Sequence, residues 1–206
     1  MRRIFTVGAL TAGVLLAGCD NGPQVVDATA AAAGGTVAGC EERVFDDLGP
    51  PTHLEAASAP PATELYAQRP ATSGPHLDSW LAVGVYDGPV DERAVVHNLE
   101  HGGIVAWYDP AAIAAEDLTA LQDWAEQRNR AGLGNRAGGG VLVAPFEDAP
   151  LSAPLALRAW HVGADCERFD AAFADAFLLE HFGDRGSAPE GNLAPEVARV
   201  LRAVER

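Results

Sequence analysis

The feature that most limits how this chain can fold is a pair of distant cysteines, Cys40 and Cys166. In an exported chain two cysteines most simply pair with each other. Such a bridge closes a loop of over a hundred residues, so the start of the folded region must sit beside its last third. The chain-entropy model gives a crosslink of that span roughly 4–5 kcal/mol. The alternative is a pair of metal-binding thiolates, but neither cysteine has a near histidine or cysteine partner in sequence.

The premise of export comes from the N-terminus. Arg2 and Arg3 precede an uncharged apolar run from Ile4 to Gly18. That run is too short to span a bilayer comfortably, and residues 1–18 read as a signal peptide. It ends in Leu16-Ala17-Gly18-Cys19, which resembles a bacterial lipobox. In such signals the cysteine is lipidated and becomes the new N-terminus, so Cys19 is the expected lipidation site. The alternative is an ordinary secretory signal that leaves Cys19 a free thiol. A lipidated terminus anchors a chain without spanning the membrane. The expected place is the outer face of the cytoplasmic membrane, which is the periplasmic side if two membranes are present. Residues 19–39, rich in alanine, glycine and small polar residues, read as a flexible tether that holds the domain on average roughly 25 Å away. Residues 40–206 are long enough for one globular domain with a real core.

Composition removes several classes of function. Without Arg2 and Arg3 the chain has 12 of its 14 basic residues left against 29 acidic ones, a net charge of −17. Such a surface repels nucleic acid and anionic headgroups. There is no lysine, which excludes Schiff-base chemistry. Methionine occurs only at Met1, so the mature chain has no thioether ligand for Cu(I).

Along the domain, Pro50-Pro51 and Pro60-Pro61 forbid a long helix early on. A short strand near Val44 and then extended loop are expected, with His53 as a solvated loop residue. Ser73-Gly74-Pro75 is a turn. Trp80 to Tyr86 is short and extended, and Val95-Val96 starts a strand. Ile104 to Tyr108 is the most strand-like run. Asp109-Pro110 reads as a helix start, for a helix carrying Leu118, Leu121, Trp124 and Ala125 on one face and ending at Gly132 and Gly134. Gly138-Gly139-Gly140 is a loop without the lysine or the following helix of a phosphate cradle. Val141 to Ala144 is a strand. Leu155 to Val162 is another, with Leu155, Leu157 and Ala159 alternating against Ala156, Arg158 and Trp160. Phe169 to Phe182 is an amphipathic helix with an aromatic stripe that reads as core, and Pro195 to Val204 is the last helix. The order predicts a single α+β domain with a small, mainly antiparallel sheet and helices packed on one face. A thioredoxin-like α/β arrangement, lacking a Cys-x-x-Cys, is the alternative.

The chemistry concentrates in Val95-Val96-His97-Asn98-Leu99-Glu100-His101-Gly102-Gly103. Histidines four apart share one face of a helix, although the Gly-Gly pair argues against a long one and favours a single turn or a bent strand. His76, on the preceding loop, supplies a third imidazole. Neutral imidazole is the commonest protein ligand for zinc and copper. His76, His97 and His101 therefore form the candidate metal site, with Glu100 as a ligand or as a partner that fixes a ring tautomer. His-x-x-Glu-His is also the inverted zincin spacing, which would make Glu100 the general base of a metal-dependent hydrolase. No downstream glutamate clearly completes that pattern, although Glu180 can be nominated. A third reading is a non-catalytic structural or partner-binding module, in which the cluster only pins a turn. His161 and His181 read as structural. Neither the metal, a protein partner nor the oligomeric state follows from these residues.

Pro70 to His76, Gly84 to Tyr86 and Val96 to Tyr108 together resemble the signature of a bacterial domain-of-unknown-function family, number 3105. Val143-Ala144-Pro145, Ala159-Trp160, Cys166 and Ala188-Pro189-Glu190 are similar too. The chain departs from that pattern at Ala71, where a second proline is commoner, and at His161, where glycine is. Neither departure touches His76, His97 or His101. The resemblance implies an exported or tethered protein and these site positions, and no reaction.

Overall fold

The computed structural model describes residues 39–204. The expected signal peptide, Cys19 and nearly all of the tether lie outside them. The strands are β1 (Cys40–Val44), β2 (His53–Leu54), β3 (His76–Leu77), β4 (Gly84–Val85), β5 (Ile104–Tyr108), β6 (Val141–Pro145), β7 (Leu155–Ala159) and β8 (Val162–Cys166). The helices are α1 (Ala62–Leu65), α2 (Glu92–Glu100), α3 (Ala115–Arg128), α4 (Ala171–His181) and α5 (Val197–Val204). Six strands form one sheet in the order β1-β8-β7-β5-β6-β4. The β5–β6 and β6–β4 pairs are parallel, while β5–β7, β7–β8 and β8–β1 are antiparallel. The domain is α+β with a mostly antiparallel sheet, as the element order predicts. Its one βαβ unit, β5–α3–β6, is followed by the β7–β8 hairpin and α4.

Alternation along the central strands explains why the sheet is buried on both sides. Successive side chains of a strand point to opposite faces. Ile104, Ala106 and Tyr108 of β5 join Leu155, Leu157 and Ala159 of β7 in a core with Leu121, Trp124, Phe177 and Val200 of α3, α4 and α5. Val105, Trp107, Ala156 and Trp160 point the other way, onto Val95, Val96 and Leu99 of α2. To the helices on one face the structure thus adds α2 on the other, and α2 carries the histidines. Cys40 and Cys166 are disulfide-bonded at opposed positions of the β1–β8 ladder.

Three local expectations are corrected. Val95-Val96 lies inside α2 and does not begin a strand. Asp109 accepts from the Ala111 N–H at 2.8 Å and closes one turn, but the long helix starts only at Ala115. The run from Leu155 to Val162 is not one strand. It folds back at Trp160 and His161, where His161 takes φ 62°, and continues as β8. Among the described residues no helix is long and apolar enough to cross a membrane.

Candidate metal centre

The site is assembled on α2. Asp91 caps the helix by accepting from the Arg93 N–H at 3.0 Å. Val95, Val96 and Leu99 pack on the sheet. His97 and Glu100, one turn apart, lie buried on α2 with only 3% and 5% of their side chains exposed. The helix closes with a Schellman motif: the Gly102 N–H donates to Leu99 O and the Gly103 N–H to Asn98 O, each at 2.9 Å. Gly102 has φ +78°. The glycine pair therefore stops the helix just after the site and does not prevent it.

The loop that delivers His76 is pinned to the start of the same helix. The buried Glu92 carboxylate accepts from the Ala71 N–H and from Arg69 Nε, both at 2.6 Å. His76 is then fully enclosed. The two-residue strands β2 and β3 pair in parallel with His53 opposite His76, which brings in a third histidine that is half exposed.

Glu100 Oε2 lies 3.0 Å from His76 Nε2, 3.1 Å from His53 Nε2 and 3.9 Å from His97 Nε2. One ligand atom from each of His53, His76, His97 and Glu100 falls within 4.8 Å of all the others. The rings crowd together, with centroids 4.6 to 5.0 Å apart. Around a four-coordinate zinc ion with bonds near 2.0–2.1 Å, donors stand about 3.3 Å apart, a spacing the three contacts to Oε2 bracket.

Main-chain carbonyls fix the tautomers of two of the rings. His76 Nδ1 donates to Gly74 O and His97 Nδ1 donates to Leu77 O, each at 2.8 Å. A carbonyl only accepts, so both Nδ1 atoms carry the hydrogen. In the neutral rings the Nε2 atoms are then bare acceptors. Burial pushes the His97 imidazole down to about 4, helped by repulsion from His101, His76 and His53 and opposed by the Leu77 bond. His97 is thus neutral at pH 7. Bare nitrogens confront a carboxylate oxygen, itself an acceptor. Only a proton or a cation placed between them reconciles these lone pairs. An Nδ1–H held by a main-chain carbonyl is also the usual way to aim Nε2 at a metal.

Of the sequence-predicted ligands, the structure gathers His76, His97 and Glu100. His101 stands beside them, its ring centroid 4.6 Å from that of His97, but its nitrogens face elsewhere. Nδ1 donates to Ala137 O, and Nε2 meets Glu190 Oε2 at 3.2 Å. The place expected for His101 is taken by His53, expected to be a solvated loop residue. No local spacing marks His53, because it reaches the site only through its non-local pairing with His76. The His-x-x-Glu-His segment is helical, yet only its first histidine joins the cluster. Glu180 lies with Glu42 and His181, where His181 Nε2 is 3.1 Å from Glu42 Oε1, and it does not complete a zincin pattern. His161 occupies the β7–β8 turn.

Neither curated proteins nor solved structures match this chain. One family model, described as a protein of unknown function (DUF3105), matches residues 61–196, more than half of the chain. That span holds His76, His97, Glu100 and His101 and leaves His53 upstream of it. The chain belongs to the family of proteins of unknown function DUF3105, and the centre built on His76, His97 and Glu100 lies inside the region that defines its membership.

Proposed function

We propose that this protein is an exported, membrane-tethered lipoprotein that binds one transition-metal ion, zinc or copper, through His53, His76, His97 and Glu100. The observation that carries the reading is the convergence of buried, carbonyl-oriented Nε2 atoms on one carboxylate oxygen. Three nitrogen donors and one oxygen donor suit zinc and copper(II) better than a hard cation such as magnesium or calcium. Glu100 is assigned as a ligand because its Oε2 stands among the rings. The tether rests on the Leu16 to Cys19 signal.

Metal analysis of chelator-stripped and reconstituted protein tests the reading. One equivalent of zinc or copper per chain is expected, abolished in the His76→Ala, His97→Ala double variant, with a diacylglyceryl group on Cys19 as the mass-spectrometric mark of the anchor. Absence of stoichiometric uptake, or uptake indifferent to the double substitution, refutes metal binding at this centre.

A further inference from the structure

Next to the histidine cluster, and sharing Trp80 with it, is a cavity of about 610 Å³, a volume typical of small-molecule sites. One wall is the segment of residues 80–83, whose Trp80, Leu81 and Val83 are apolar, and the other carries Arg130 and Arg136. No lining residue is acidic, in a chain with 29 carboxylates and only 14 basic residues. Arg130 is paired with Glu126 at 2.8 Å. Arg136, exposed at the rim, has no hydrogen bond or ion pair among the described residues.

The walls are held by the site helix itself. Asn98, buried in α2, donates through Nδ2 to Leu81 O and Gly138 O at 2.8 Å and accepts from the Leu81 N–H at 3.0 Å. The Gly138-Gly139-Gly140 run forms the seat. A Cβ on Gly138 would stand 2.7 Å from the Trp80 ring, and one on Gly140 would stand 2.9 Å from Val83. The indole also touches the rings of His97 and His101, with centroids 5.1 Å away in each case, yet Trp80 stays 42% exposed. Trp80 thus offers an exposed aromatic side chain to the lining of the cavity.

We propose that this cavity binds a small aryl carboxylate. Its ring lies against Trp80, Leu81 and Val83, and its carboxylate pairs with Arg136. A flat indole favours a planar π partner, and an unpaired guanidinium fork matches a carboxylate. A neutral aromatic would make no use of Arg136, and an inorganic anion would leave the apolar wall unused.

Titration of the purified protein with 2-naphthoate and with the neutral 2-naphthamide, followed by calorimetry and tryptophan fluorescence, tests this. One naphthoate per chain is expected, bound at least tenfold more tightly than the amide. Arg136→Gln, an exposed substitution that leaves metal uptake intact, should cost at least tenfold in naphthoate affinity, and Trp80→Ala a similar factor. Equal binding of acid and amide, no saturable binding at millimolar naphthoate, or unchanged affinity in Arg136→Gln overturns the proposal. Running the titration on metal-free and zinc-loaded protein separates this result from the fate of the metal centre.

Discussion

At the scale of single residues the decisive one is Glu100. Its carboxylate faces His76 Nε2 at 3.0 Å and His53 Nε2 at 3.1 Å. With no metal between them, a neutral His76 ring sets its bare Nε2 against an acceptor oxygen of Glu100, an unfavourable contact. Glu100→Gln changes this with almost no change of shape. The amide NH₂ donates to the bare His76 Nε2, but the neutral side chain is a poorer metal ligand. At pH 8 the metal-free variant should be more stable than the parent, by about 1 kcal/mol, the net worth of a buried hydrogen bond. Its zinc affinity should drop at least tenfold. Urea denaturation of both apo proteins reads the first effect and competition with a chromogenic chelator the second. A less stable apo variant with undiminished metal affinity would mean that Glu100 is the anion of a structural imidazolium pair.

Among the elements α2 matters most, and its end is the feature easiest to misread. Gly102 and Gly103 look like an interruption of the histidine motif, yet they supply the Schellman cap that lets a nine-residue helix end just past Glu100. A side chain at Gly102 would face φ +78° and stand 2.6 Å from the Gly183 Cα. The backbone term alone is worth roughly 1–2 kcal/mol, and the neighbour is main chain that cannot rotate away. Gly102→Ala is therefore expected to lose about 3 kcal/mol or more by denaturant unfolding. Gly88→Ala, where a Cβ meets nothing within 4 Å, should stay within about 0.5 kcal/mol of the parent. Equal stabilities for the two variants would refute the cap. The same contrast explains what the sequence reveals and what it hides. β5 and β6 are legible because apolar runs buried on both faces need only local composition. The β7–β8 hairpin is not, because its turn uses Trp160-His161 where Asn-Gly or Asp-Gly would be the usual signal. His76 and His97 stand out by local pattern, whereas His53 depends on a two-residue pairing across the fold that no spacing encodes.

Across the whole molecule, the disulfide and the proposed metal site sit on different faces of one sheet. The disulfide belongs to the core shared with α3, α4 and α5, and the histidine–Glu100 cluster proposed to hold a metal belongs to α2 and the loops over the opposite face. They also act on different states. A crosslink spanning 126 residues works mainly by restricting the unfolded chain, while a metal that binds only the folded chain stabilises the native state by mass action. Remote and mechanistically separate contributions should add. Replacing both Cys40 and Cys166 by serine is expected to remove up to about 5 kcal/mol. Free zinc at a hundredfold excess over its Kd should restore about 2.7 kcal/mol, and the same increment should appear in the disulfide-bonded chain. The measurement belongs at 0.15 M salt, where a Debye length of about 8 Å weakens diffuse cation binding to a chain of formal charge −15. A zinc increment present with the disulfide and missing without it would mean that the bridge holds the α2 face in shape, and the two sides of the sheet would have to be treated as one cooperative unit.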